Sequence, residues 1–240
     1  MKKFFLAFLT IFTLAFCSSS FAQEKQKPDW RKLHYLSEEE MNTPVRATNF
    51  VETDPPAGEP RFVAEFEPMQ AVMICYPLGI PYSVVKELAE DCTLITIVSS
   101  YLESQARAEY QNNGVDMDHC IFVNAETDSY WVRDFGPWYI FEDKKPAIVD
   151  NVYNRPRPND DKMSSVFANY WNIPMYGMNL QHTGGNMMED GRGHGVSDDL
   201  VLEENNYDEE NVRNKMRDYL GIDPYTQIPQ QRAADGSRGL

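Results

Sequence analysis

The chain has 240 residues, 37 acidic against 22 basic, and a formal net charge of −15 at pH 7. That balance leaves no basic stripe able to displace counterions from a phosphate backbone, which argues against a nucleic-acid partner. It fits an exported protein kept soluble by repulsion, or one whose field attracts basic peptides.

The N-terminus has the pattern of an export signal. Lys2 and Lys3 precede an apolar run from Phe4 to Phe16, and Ser20-Phe21-Ala22 offers small residues where a signal peptidase needs them. Cleavage is expected before Gln23, giving a secreted or periplasmic protein. The apolar run is too short to span a membrane comfortably, so no membrane partner is expected after cleavage. Bulky Phe16 ahead of Cys17 disfavours a lipid anchor there.

Residues 23–60 are polar, rich in Glu, Lys and Pro, and end in Asp54-Pro55-Pro56-Ala57-Gly58. They are expected to form an arm leading into a folded domain over residues 61–225. Order is expected from about Arg61. Val72–Tyr76 has the makings of a buried strand, Tyr82–Ala89 of a helix, and Thr93–Val98 of a strand. Tyr101–Asn112 follows as a helix stopped by Gly114, and Cys120–Val123 as an apolar strand. Cys75, Cys92 and Cys120 are odd in number and widely spaced, which matches no zinc pattern, so inert thiols are expected.

A repeat follows. Trp138–Phe141 and Pro146–Val152 predict two short strands, Asp160–Trp171 a helix, and Pro174–Leu180 a closing strand. About fifty residues on, the order recurs, with strands near Gly185–Met188 and Asp199–Leu202 and a helix over Glu209–Leu220. After Tyr225 the chain turns polar and loses alternation, so this unit is expected to lack its closing strand, with 226–240 an irregular tail.

The chemistry-bearing residues concentrate between Asp128 and Pro158. Trp131 offers an aromatic wall to a flat cation, and the carboxylate of Asp134 can accept guanidinium N–H groups in a two-point hydrogen bond. Other readings stand beside these: a core tryptophan, and an aspartate paired with Arg133 or capping the Gly136-Pro137 turn. Arg155 and Arg157 each precede a proline, which favours extended backbone. Side chains two apart on such a backbone point the same way, so the pair can hold a carboxylate. An exposed basic turn is the alternative. His182 and His194 lie in glycine-rich stretches and are expected to be turn or surface residues. Asp190, Asp198 and Asp199 lack EF-hand spacing, and no phosphate loop or serine nucleophile elbow is present. No metal or cofactor is expected.

At these residues the chain resembles the agmatine deiminase and bacterial peptidylarginine deiminase family of guanidine-modifying enzymes. The resemblance runs from about Arg61 to about Tyr225. It is carried by Val63-Ala64-Glu65-Phe66-Glu67-Pro68-Met69-Gln70, Tyr130-Trp131-x-Arg133-Asp134, Tyr153-Asn154-Arg155-Pro156-Arg157-Pro158-Asn159-Asp160 and Thr183-Gly184-Gly185-Asn186. It implies an α/β fold, a pentein-type propeller of ββαβ repeats of which about three of five are present. It also implies attack by a cysteine thiolate on the guanidinium carbon, carboxylates gripping the nitrogens, and a histidine passing protons as ammonia leaves. By position, Asp134 resembles the first substrate carboxylate, Trp131 its neighbouring wall, and Arg155 and Arg157 the pair that recognises a substrate carboxylate.

A double arginine clamp implies a peptide ending in arginine, converted to citrulline, rather than agmatine. Agmatine or free arginine, and a non-catalytic secreted binder of arginine peptides, remain as alternatives. The family's His-x-Asp is expected just after Tyr225 and its cysteine nearer a longer C-terminus. Neither occurs in these 240 residues, where Cys120 is the last cysteine. The expectation is a chain cut short by truncation or a frame change, with no turnover.

Overall fold

The computed structural model describes residues 36–45 and 50–230. The expected export signal, most of the arm's first half and residues 231–240 lie outside the described residues. A single turn of helix, α1 (Glu38–Met41), precedes the body, and a short strand β1 (Pro60–Phe62) opens it.

The first sheet is parallel throughout, in the order β2 (Ala71–Tyr76), β3 (Thr93–Val98), β4 (Cys120–Asn124). Helices α2 (Tyr82–Asp91) and α3 (Glu103–Asn112) make the two crossovers. The central strand is buried on both faces from Leu94 to Val98, the continuous apolar run that such a position demands, rather than the half-buried strand its alternation suggests. Its one polar residue within that run, Thr96, is satisfied by the Tyr110 hydroxyl at 2.9 Å. Gly114 (φ +71°) ends α3 in the left-handed region, where a side chain would be strained.

The second and third sheets share one topology. β5 (Trp138–Glu142) runs antiparallel to β6 (Lys145–Tyr153), which runs parallel to β7 (Met175–His182) across a helical crossover. β1 adds to the outer edge of β5. The β5–β6 hairpin turns on Asp143 and Lys144, both with positive φ, as a two-residue loop requires to match the strand twist. The crossover is two helices, α5 (Pro158–Asp161) and α6 (Met163–Trp171), where the periodicity predicts one from Asp160. Proline at the first helical position of α5 starts an extra turn there.

In the third sheet, β8 (Met188–Glu189) is antiparallel to β9 (Gly195–Asp198), which is parallel to β10 (Tyr225–Ile228). The helices α7 (Leu200–Glu204) and α8 (Glu209–Leu220) lie between β9 and β10. Three expectations change here. Gly184–Asn186 is a 3-10 turn preceding a two-residue strand. Leu200–Leu202 is helical, because the Asp198 side chain accepts the Leu200 N–H and starts a turn, and the strand lies just before it. The closing strand exists: Tyr225 pairs with Gly195 through to Ile228 with Asp198. Only Tyr225 of its four residues is buried, so backbone pairing holds this edge strand and leaves almost no apolar pattern to read.

The fold is thus mixed α/β, with three separate sheets among the described residues, none of which closes on itself there. One core joins the second and third sheets, with Trp138, Ile140, Val149, Met178 and Leu180 packed against Val212, Met216, Leu220 and Tyr225. A second core, around Ile97, Phe135, Ile148 and Phe167, joins the second sheet to the first. Part of the polar segment read as an arm lies on this body. Thr53 and Gly177 exchange hydrogen bonds, and the Tyr219 hydroxyl donates to the Thr53 carbonyl.

Candidate functional site

Asp134 sits on α4 (Val132–Phe135), one helical turn between the first and second sheets. Its neighbour Phe135 anchors that turn by packing edge-on against Tyr153, with ring centroids 6.2 Å apart. The Thr183-Gly184-Gly185 turn closes over it. The Thr183 hydroxyl donates to the Asp134 carbonyl at 3.3 Å, and a β-carbon on Gly184 would stand 2.2 Å from the Arg133 carbonyl oxygen. Only glycine permits that approach.

The Asp134 side chain is 4% exposed, and its Oδ1 has no hydrogen-bond partner among the described residues. Burial pushes its pKa above the usual carboxylate range, opposed by the nearby Arg155 charge, the Thr183 hydroxyl, Arg133 and the Gly185 amide. Arg133 itself is committed elsewhere, donating to the Met187 carbonyl at 2.7 Å and pairing with Glu65. The alternative in which Asp134 pairs with Arg133 is therefore not the arrangement found.

Arg155 is 3% exposed, and its Nη1 is also without a hydrogen-bond partner. Tyr153 senses both charges; its hydroxyl is a third such atom, and its phenol is raised first by burial and then by the Asp134 charge. Three polar atoms of different chemistry, an acceptor, a hydroxyl and a cationic donor, thus lie buried and unsatisfied in one neighbourhood. Buried polar groups are ordinarily paired, so such a cluster marks a place built for something besides the protein's own atoms. Trp131 is half-buried beside it, its ring 4.6 Å from that of Tyr130, which in turn covers the backbone of Gly79 closely. Two grooves open elsewhere on the surface, both beside α8. The one of about 470 Å³ is lined by residues such as Glu209, Arg213 and Tyr225, and neither includes Asp134.

The two arginines are not side by side on an extended strand. The Arg157 N–H donates to the Arg155 carbonyl at 2.7 Å, closing a three-residue turn around Pro156. Both are buried rather than part of an exposed basic turn. Arg157 Nε donates to Glu40 Oε1 of α1 at 2.8 Å.

The sequence gives no role to the residues that hold these parts together. Asp160, fully buried, accepts the Asp128 N–H at 2.7 Å, the Ser129 N–H at 3.2 Å and the Ser129 hydroxyl at 2.7 Å. Asp128 returns the contact, accepting from the Asn159 N–H and side-chain amide, each at 2.7 Å. Asp161 accepts the Tyr153 N–H at 2.6 Å. This reciprocal clamp locks the segment carrying Trp131 and Asp134 to the loop carrying Arg155 and Arg157. In the sequence they stand in two short runs of turn-forming polar residues, which name no partner.

Cys75 is buried with its thiol pushed far up by desolvation, then by Asp160, so it is a poor nucleophile. His182 departs from its expected surface position. It is 1% exposed, near the Tyr225 hydroxyl (3.1 Å), with its ring edge-on to Trp138 and its pKa pushed by burial to about 4. It is a neutral packing residue. His194 is half-buried, with Nε2 3.0 Å from the Thr226 hydroxyl.

The sequence profile of the Porphyromonas-type peptidyl-arginine deiminase family matches residues 61–238. The chain belongs to that family. Among solved structures, it is similar to the agmatine deiminase of Enterococcus faecalis, at 18% identity and a TM-score of 0.65, covering 78% of this chain and 59% of that one. It is also similar to an agmatine deiminase of C. jejuni, at 17% identity and a TM-score of 0.59, covering 71% and 55%. The family match covers the described residues from 61 to 230, and the chain covers less than three fifths of these solved structures' length. At such identities the structural likeness speaks for the shared α/β fold. The Tyr130–Asp134 and Thr183–Asn186 segments that carry the resemblance interlock at Asp134 and Gly184.

Proposed function

We propose that these residues form the substrate-gripping part of an exported guanidine deiminase, secreted or periplasmic, acting on arginine at the C-terminal end of peptides. Asp134 receives the guanidinium N–H groups, Trp131 walls off water on one side, and Arg155 with Arg157 takes the substrate carboxylate. The observation that carries this is the buried juxtaposition of an unpartnered Asp134 Oδ1 and an unpartnered Arg155 Nη1. A substrate with a cationic head and an anionic end satisfies both at once. The two like-wound sheets fit consecutive blades of a five-fold propeller, of which these residues supply about three.

In the deiminase reaction implied by the resemblance, a thiolate attacks the guanidinium carbon, ammonia leaves, and water releases the product from a covalent thiouronium. Asp134 would hold the electrophile and offset its charge. The 240 residues contain no His-x-Asp and no cysteine after Cys120, and Cys75 is buried with a disfavoured thiolate. Binding without turnover is therefore the expected behaviour of these residues alone.

A second reading, agmatine as substrate, is favoured by one contact. Glu40 neutralises Arg157, leaving less net positive charge for a substrate carboxylate. Calorimetry with N-acetylarginine and agmatine separates the two. Asp134→Asn should weaken both ligands about tenfold or more, because one charge-assisted partner is lost. Undiminished binding by that variant would remove Asp134 from the site. Cysteine-dependent ammonia release from either ligand would overturn the expectation of no turnover.

A further inference from the structure

Glu40 and Arg157 are 117 positions apart, yet they form one of the most buried ion pairs of the molecule, with side chains 18% and 2% exposed. α1 is a single turn with no buried residue, closed by a reciprocal cap in which Glu40 Oε2 accepts the Ser37 N–H at 2.7 Å and the Ser37 hydroxyl accepts the Glu40 N–H at 3.1 Å. That cap fixes one carboxylate oxygen and leaves Oε1 aimed at Arg157. The turn is thus preorganised to present a carboxylate, and a buried guanidinium receives it.

On the reading above, Arg157 is half of a clamp for a substrate carboxylate, and the inference rests on that reading. A carboxylate from the protein's own arm stands on it, while the other half, Arg155, keeps a buried donor without a partner. We propose that Glu40 is a specificity-determining residue: its carboxylate takes the place of the substrate's on Arg157, so that a ligand with a carboxylate must displace it and a ligand without one need not. Burial raises the Glu40 acid and its bonds to Arg157 and Ser37 outweigh that, so it competes as an anion at neutral pH. With Glu40 docked, Arg157 Nε and its charge are already engaged and a ligand carboxylate meets mainly Arg155; with Glu40 displaced, Arg157 Nε joins it. The same contact therefore sets how strongly the site prefers carboxylate-ended arginine over agmatine.

The test compares the wild-type chain with Glu40→Gln by calorimetry, using agmatine, N-acetylarginine and N-acetylglycine. Glu38→Gln, on the same exposed turn, is the control. Glu40→Gln should tighten both carboxylate ligands by about tenfold, as expected when a competing charged partner is removed. Agmatine should stay within about twofold, and Glu38→Gln should leave all three unchanged. In wild type, N-acetylglycine should also speed hydrogen exchange at the amides of residues 38–43 as the turn is displaced. Equal effects on agmatine and N-acetylarginine would overturn the inference, as would carboxylate affinities and exchange rates that do not respond. N-acetylglycine carries no guanidinium, so it judges Glu40 independently, whereas agmatine binding unaffected by Asp134→Asn would sink the guanidinium reading alone.

Discussion

Asp150 on β6 shows how much a single buried acid can govern. Its Oδ1 has no hydrogen-bond partner, and its pKa is pushed up to about 7, first by burial and then by the neighbouring Asp161, against a hydrogen bond from Ser164. A folded-state pKa above the unfolded one means that the native protein holds the extra proton. The associated stability is therefore complete below about pH 4 and lost as pH rises through about 7. Asp160, raised by burial to about 6, adds in the same direction. Asp150→Asn should flatten part of that slope and stabilise the protein above pH 7 by on the order of 3 kcal/mol. Urea midpoints at pH 5 and 8 would check this, and parallel profiles for the two proteins would refute it. The proposed ligand-binding residues Trp131, Asp134 and Arg155 could be picked out because each has a side chain whose chemistry suits a cation or an anion. Asp128 and Asp160 could not. Their work is to accept backbone N–H groups about thirty residues away, and such a partnership has no local spacing.

At the scale of elements, α4 and the Thr183-Gly184-Gly185 turn form one unit although fifty residues separate them. Gly184→Ala would drive a methyl group into the Arg133 carbonyl and push α4 outward with Asp134 on it. The expected cost is about 1–3 kcal/mol of stability, as for other overpacked sites. Binding of N-acetylarginine should fall by a larger factor than the same stability loss placed elsewhere, since the carboxylate itself is displaced. Chemical denaturation alongside calorimetry reads both, and wild-type affinity in the variant would show that the turn does not position Asp134. Helices with a strong apolar stripe were legible nearly to the residue, as at α8, where Val212, Met216 and Leu220 recur at helical spacing. β10 and β9 were not, because an edge strand and a four-residue strand are held by pairing with distant backbone. Leu200-Val201-Leu202 suits a strand or a helix equally, and the Asp198 cap decides between them.

Across the whole molecule, Cys75 reports on the cores that join the sheets. It lies at 3% exposure in the second core, with its thiolate disfavoured by burial. Labelling of Cys75 by a disulfide reagent should therefore follow global unfolding, its rate rising with denaturant as the opening population does, while half-buried Cys92 and Cys120 react earlier. Mass spectrometry of the labelled peptides would assign each thiol, and rapid labelling of Cys75 in native buffer would contradict the packing described.

The sequence by itself determined the α/β class, the first strand–strand–helix–strand unit and the cluster of side chains whose chemistry suits a cation and an anion, because periodicity and side-chain chemistry are local properties of the chain. Tertiary structure alone decided that Asp134 and Arg155 lie buried in one neighbourhood, that Asp160 and Gly184 hold them there, and that Glu40 rests on Arg157. Each of these depends on the closure of long loops, and the energy of a long-range contact leaves no mark on the residues beside it in the chain.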